Sequence, residues 1–170
     1  MKQAIFKLVA IGAMILSLAA CSNGGGNDSS SGGGTSNNNL PADPGVAGKA
    51  TLQGIDSDND GVRDDVQIAI AERYPSEIDS QHVLRQQAVS LQDSIMAGDS
   101  GDQNNMVQVS QQIKRATKCL TSTMPDPAED AGFIETQVVN TKARSDAYMR
   151  FNAAGSGQFF GVDTSSNPCD

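Results

Sequence analysis

Gly54-Ile55-Asp56-Ser57-Asp58-Asn59-Asp60-Gly61-Val62-Arg63-Asp64-Asp65-Val66-Gln67 places five carboxylates within ten residues and then runs straight into an apolar series. Without a cation these charges repel one another at short range. Acids alternating at 56, 58 and 60 let a chain wrap oxygens around one ion, and Gly61 supplies a sharp turn. Counting Asp56 as the first position, the expected ligands are Asp56, Asp58, Asp60, the Val62 backbone carbonyl at the seventh position and Asp64 at the ninth. Oxygen-only ligation by a flexible, multiply charged loop selects a hard cation, and favours Ca2+ over Mg2+, which keeps its waters. On the C-terminal side, Val62, Val66, Ala69, Ile70 and Arg73 share one helical face, which Tyr74-Pro75 ends. On the N-terminal side, residues 47–55 have no helical period. The stretch therefore reads as a loop with an outgoing helix and no incoming one.

The spacing resembles the EF-hand calcium loop, and the missing entry helix makes it more similar to thrombospondin type 3 or dockerin-type loops. That resemblance covers 12 to 20 residues and implies a single Ca2+ site. The twelfth position departs from it: the EF-hand pattern has a bidentate Glu there, and this chain has Gln67. A neutral amide oxygen gives one bond to the ion, and Asp65 is adjacent. Asp64, Asp65 and Gln67 are thus three candidates for closing the shell. The expected affinity is that of extracellular modules, about 10⁻⁴–10⁻³ M. The competing reading is a solvated acidic turn whose Asp64 and Asp65 complement the dipole of the helix they begin.

Beyond this helix the apolar period continues. Leu84, Ala88, Leu91 and Ile95 make a second stripe, with Ser76 or Asp79 as its cap and an end near Gly98; a polar loop is expected over 99–105. Met106, Val109, Ile113, Ala116 and Leu120 make a third, stopped by Pro125. Asp126-Pro127-Ala128-Glu129 is a helix start, with a cap, a proline at the first position and an acid at the third. Ile134, Val138, Thr141, Ser145 and Tyr148 carry that helix on toward Phe151. From Ala153 the chain is Gly-rich and expected to be irregular, with Phe159 and Phe160 as apolar anchors. The fold class is all-α: a small bundle of about four helices preceded by a calcium-binding loop and a disordered tether.

The chain begins with Lys2 and Lys7, an apolar run from Leu8 to Leu18, small residues and Cys21. This is the layout of a secretory signal, too short to serve as a membrane span of roughly 20 residues. Leu18-Ala19-Ala20-Cys21 resembles the lipobox of bacterial lipoproteins. The resemblance implies cleavage of residues 1–20, lipidation of Cys21 and anchoring in a membrane through the acyl chains. Ser22 in place of Asp implies the outer membrane in a Gram-negative host, facing the periplasm or the cell surface. Residues 21–50 then form a flexible Gly/Ser/Asn linker. Its first ~18 residues would reach roughly 20–25 Å, and the domain occupies 51–170.

Charge and composition exclude several functions. Twelve basic residues face 20 acidic ones, a net charge of −8, and loss of Lys2 and Lys7 would make it −10. So acidic a chain is unsuited to nucleic acid, which needs clustered Lys and Arg, and to docking on anionic lipid. The single histidine, His82, rules out a His-rich metal centre and lies among Gln81 and Arg85 as a surface residue. With Cys21 acylated, Cys119 and Cys169 are left to pair in an oxidising compartment, closing a loop of about 50 residues. These readings describe an envelope lipoprotein with one structural Ca2+, acting as a binding or structural module and not as an enzyme. Its expected partner is an envelope protein or a glycan. The alternatives are a small-ligand carrier or inhibitor lipoprotein, and a metal-dependent envelope enzyme.

Overall fold

The computed structural model describes residues 40–156 and 167–169. The signal segment, Cys21, the Gly/Ser/Asn stretch and the Phe159-Phe160 pair lie outside them. Among the described residues, five α-helices follow a 3-10 turn at Ala47–Lys49: α1 (Asp64–Arg73), α2 (Ile78–Ser100), α3 (Gln103–Thr123), α4 (Pro127–Val138) and α5 (Lys142–Gly155). No β-strand is present among the described residues. None of these helices is long and apolar enough to cross a membrane.

Helix α2 is the axis of the bundle and packs against each of the other four. Its stripe does what the period demands: Leu84, Ala88, Leu91 and Ile95 are all buried, joined by Val66 and Ile70 of α1, Leu120 of α3, Ile134 and Val138 of α4 and Ala147 of α5. A second, smaller cluster of Ala97, Met106, Val109 and Phe151 closes the far end of α2, α3 and α5. The Cys119–Cys169 disulfide is formed, with Cα atoms 5.0 Å apart. It ties the last described residues to α3.

Several boundaries differ from the sequence expectation, each for a local reason. Helix α2 is entered through Glu77 rather than capped by Ser76 or Asp79, and no side chain caps it. It runs through Gly98 to Ser100 and stops at Gly101, whose φ of +69° is left-handed. Gly98 is a packing glycine: a Cβ there would lie 2.1 Å from the Ala147 carbonyl oxygen, so its bare backbone lets α5 cross closely. The polar loop shrinks to Gly101-Asp102 because Asp102 caps α3, accepting from the Asn104 and Asn105 amides. Asp126 caps α4 and accepts from the Glu129 amide, as its motif requires.

The helix expected from Pro127 to Phe151 is two helices. Thr141 is the cap of α5, its Oγ1 accepting from the Arg144 amide at 3.2 Å. The orphan carbonyls that end α4 are met from across the molecule, since Arg63 donates to Val138 O at 2.9 Å and to Gln137 O at 3.0 Å. A cation at a helix C-terminus also complements its dipole. At its own end, α1 is pinned to the start of α4. Arg73 bonds Asp130 at 3.0 Å and Glu129 at 2.8 Å, and stacks 4.6 Å from the Phe133 ring. Asp130 is buried and also accepts from the Tyr74 hydroxyl at 2.7 Å.

Candidate metal centre

The loop ahead of α1 is folded by its own acids. Asp56 accepts from the Asp60 amide at 3.2 Å and from the Gly61 amide at 3.0 Å, drawing the chain back over itself. Asp60 Oδ1 accepts from the Val62 amide at 2.9 Å, and Asp64 Oδ1 from the Ser57 amide at 2.9 Å. The turn passes through left-handed backbone at Asn59 (φ +57°) and Gly61 (φ +88°). Asn tolerates that region better than most side chains, and glycine adopts it without penalty.

This folding brings one carboxylate oxygen each of Asp56, Asp58 and Asp64 within 4.8 Å of one another, a grouping that could hold a metal ion. Asp64 is buried, Asp56 half-buried and Asp58 exposed, so the cluster opens to solvent on the Asp58 side. Two unit charges at that separation repel by about 1 kcal/mol in water and by roughly 3–4 kcal/mol at an effective dielectric of 20. The backbone donors offset part of this repulsion, and a divalent cation would convert it into attraction.

Gln67 completes the picture. It is 6% exposed, and its Nε2 donates to Asp58 Oδ2 at 3.3 Å. Its Oε1 is buried and has no hydrogen-bond partner. A buried acceptor without a donor is costly, about 1–3 kcal/mol. Turning the amide by half a rotation would set Oε1 against the Asp58 carboxylate, an arrangement that is favourable only with a cation beside both. The donor set, three carboxylates and an amide oxygen, is hard and oxygen-only, and it suits such an ion.

The remaining acids of the sequence expectation are engaged elsewhere. Asp65 turns away to Arg63, at 2.9 and 3.0 Å, and to Asn140 at 3.0 Å. Burial pushes its carboxyl up, but the hydrogen bond and charge of Arg63, helped by Asn140 and Arg144, outweigh burial and hold it below the usual range. Asp60 forms an ion pair with Arg85 of α2. The Val62 side chain is core, 3% exposed. Of Asp64, Asp65 and Gln67, Asp64 lies in the carboxylate group and Gln67 bonds Asp58 within it, whereas Asp65 belongs to the network that holds the loop to the bundle.

Two buried arginines that the sequence reading passed over position the loop. Arg63 is 3% exposed and bonds Gln92 Oε1 at 3.0 Å in addition to Asp65 and the end of α4. Arg144 is 0% exposed. It donates to the carbonyls of Gly48 at 2.7 Å, Thr51 at 2.9 Å and Leu52 at 3.0 Å, and to Asn140 Oδ1 at 2.6 Å. Burial and the nearby Arg63 charge lower its pKa, partly countered by Asp65. Gln92 bridges the two, donating to Leu52 O at 3.0 Å. Arg63 as the lone cation inside an acidic loop is the one sequence signal that could have revealed this network; Arg144 leaves none.

Compared with known protein families, curated proteins and solved structures, the chain matches no family model, no curated protein and no solved structure.

Proposed function

We propose that this chain is a lipid-anchored envelope protein whose helical domain carries one structural Ca2+ in the loop 56–67 and serves as a binding or structural module. The observation that carries the cation reading is the convergence of Asp56, Asp58 and Asp64 beside the unpartnered Oε1 of buried Gln67. Asp56, Asp58, Asp64 and Gln67 would hold the ion. Ca2+ suits the site because its flexible coordination accepts a carboxylate-rich loop, whereas Mg2+ demands strict octahedral geometry. When bound, it supplies charge neutralisation and ties the start of α1 to the turn. The lipid reading rests on Leu18-Ala19-Ala20-Cys21 and its preceding apolar run, and the disulfide fits an oxidising compartment.

The test is thermal unfolding of the full chain bearing Cys21→Ser, in metal-stripped buffer and in Ca2+. At ten times the dissociation constant, linkage gives about 1.4 kcal/mol of added stability. Asp56→Asn with Asp58→Asn abolishes the gain, and Gln67→Glu, which exchanges an amide oxygen for a carboxylate, tightens Ca2+ binding. An unchanged melting temperature in Ca2+ refutes the cation reading. Mass spectrometry of the mature N-terminal peptide reads acyl chains on Cys21 in the wild type, and a free thiol there refutes the anchor.

A further inference from the structure

Beside the loop, α2 and α3 form a cavity of about 430 Å3, inside the ~300–1,000 Å3 range of small-molecule sites. Arg85, Arg115, His82 and Gln112 supply its polar wall, and Val62 and Val89 its apolar one. In a chain of net charge −8, this hollow gathers two guanidinium groups and only one carboxylate among its described lining residues. That carboxylate is Asp60, the middle acid of the loop, and it is paired with Arg85.

We propose that this cavity binds a small ligand bearing a carboxylate, and that Asp60 couples it to the cation loop. The coupling half rests on reading residues 56–67 as a cation site; the cavity half does not. Asp60 sits at the fifth position of the acid spacing yet stays out of the Asp56–Asp58–Asp64 cluster: Arg85 pairs with its Oδ2 while its Oδ1 accepts from the Val62 amide. Its carboxylate shows what the Arg85 fork receives: a planar guanidinium matches a carboxylate in shape as well as charge. A cation in the loop competes with Arg85 for Asp60. Once Asp60 turns to the ion, Arg85 is left in the cavity wall, 27% exposed, and a ligand carboxylate takes the place Asp60 vacates. Cation and ligand therefore bind with positive cooperativity, each tightening the other by the same factor.

Calorimetric titration of glucuronate into the full chain bearing Cys21→Ser tests this, with glucose as the uncharged control. Metal is removed by resin, since chelators carry carboxylates of their own. Glucuronate is expected to bind at least tenfold more tightly in saturating Ca2+ than in metal-free buffer, and to tighten Ca2+ by the same factor. Asp60→Ala, with Asp60→Ser as a second form should the first lose its helical circular dichroism, binds glucuronate in metal-free buffer as the wild type does in Ca2+. Arg85→Gln abolishes glucuronate binding while Ca2+ still binds. Failure of the folded Asp60 variants to bind glucuronate, or unaltered binding by Arg85→Gln, overturns the cavity assignment. Glucuronate binding that is equal with and without Ca2+ overturns the coupling. A wild type that takes up no Ca2+ removes the cation reading and the coupling with it, and the metal-free Asp60 variants still decide the cavity.

Discussion

Replacing Arg63 with Met tests the network that holds the loop to the bundle. Met keeps most of the apolar stem and removes the guanidinium, which makes five hydrogen bonds: two to Asp65 and one each to Gln92, Gln137 and Val138. The bond to the Val138 carbonyl is buried, so an acceptor is orphaned there at a cost of about 1–2 kcal/mol. Gln137 and Gln92 are partly buried, and water replaces much of what they lose. Deleting one partner of a buried ion pair costs about 3–5 kcal/mol; Asp65 is 17% exposed and keeps Asn140, so the lower end applies. The expected loss is about 4 kcal/mol, a large share of the roughly 5–15 kcal/mol available to a domain. Urea denaturation followed by circular dichroism measures it as a shift in midpoint at constant slope. Adding Asp65→Asn to Arg63→Met recovers part of the loss, because the stranded charge is gone. A cost below about 1 kcal/mol, or a further loss in the double variant, would refute the idea that this pair is a buried clamp.

Two other outcomes follow from the bundle itself. Cys169→Ser removes the covalent closure of a 50-residue separation and is expected to lower stability by up to about 4 kcal/mol in the chain-entropy model; urea midpoints equal to those of the wild type contradict this. Burial alone pushes the Asp93 carboxyl up, so folding favours its protonated form. The stability it contributes is full below its unfolded pKa of about 3.9 and is lost as pH rises through the higher folded value. Asp93→Asn is therefore expected to raise the melting temperature at pH 7 and to leave it unchanged near pH 3; a loss at pH 7 would show that the ionised carboxylate is stabilising.

The helical stripes were legible because burial follows the period. Leu84, Ala88, Leu91 and Ile95 are all 4% exposed or less, and the proline-led start of α4 needed only local chemistry. The break between α4 and α5 was not legible, because Val138, Thr141, Ser145 and Tyr148 preserve the period across it. The carbonyl that ends α4 is met by Arg63, 75 residues away in sequence from Val138. Gly98 misled for a related reason: a terminator and a close-packing contact both select glycine, and only the passage of α5 tells them apart. Within the loop, spacing alone gave Asp60 and Asp65 the same standing as Asp56, Asp58 and Asp64. Arginines sort them, since Arg85 takes Asp60 and Arg63 takes Asp65.

The loop also lacks the entering helix that would brace it from the other side, and the structure shows what stands in its place. Arg144 collects three carbonyls from the segment that precedes the loop, and Gln92 adds a bond to one of them. Arg63 fixes the other end against α4, and Asp65 and Asn140 join the two arginines into one network. Two like charges brought this close repel, and their burial is tolerable because nearly every guanidinium proton is spent on a carbonyl or a carboxylate. The consequence bears on the site. A loop already held at both ends does not have to be ordered by its ion, so little of the binding free energy of a cation is lost to fixing the backbone. The local adjustments that a bound ion would still make are small ones: turning the Gln67 amide and, under the coupling proposed above, drawing Asp60 from Arg85. Of these, only the second reaches beyond the loop, which is why the state of the cation would be felt in the cavity between α2 and α3 and not across the whole bundle.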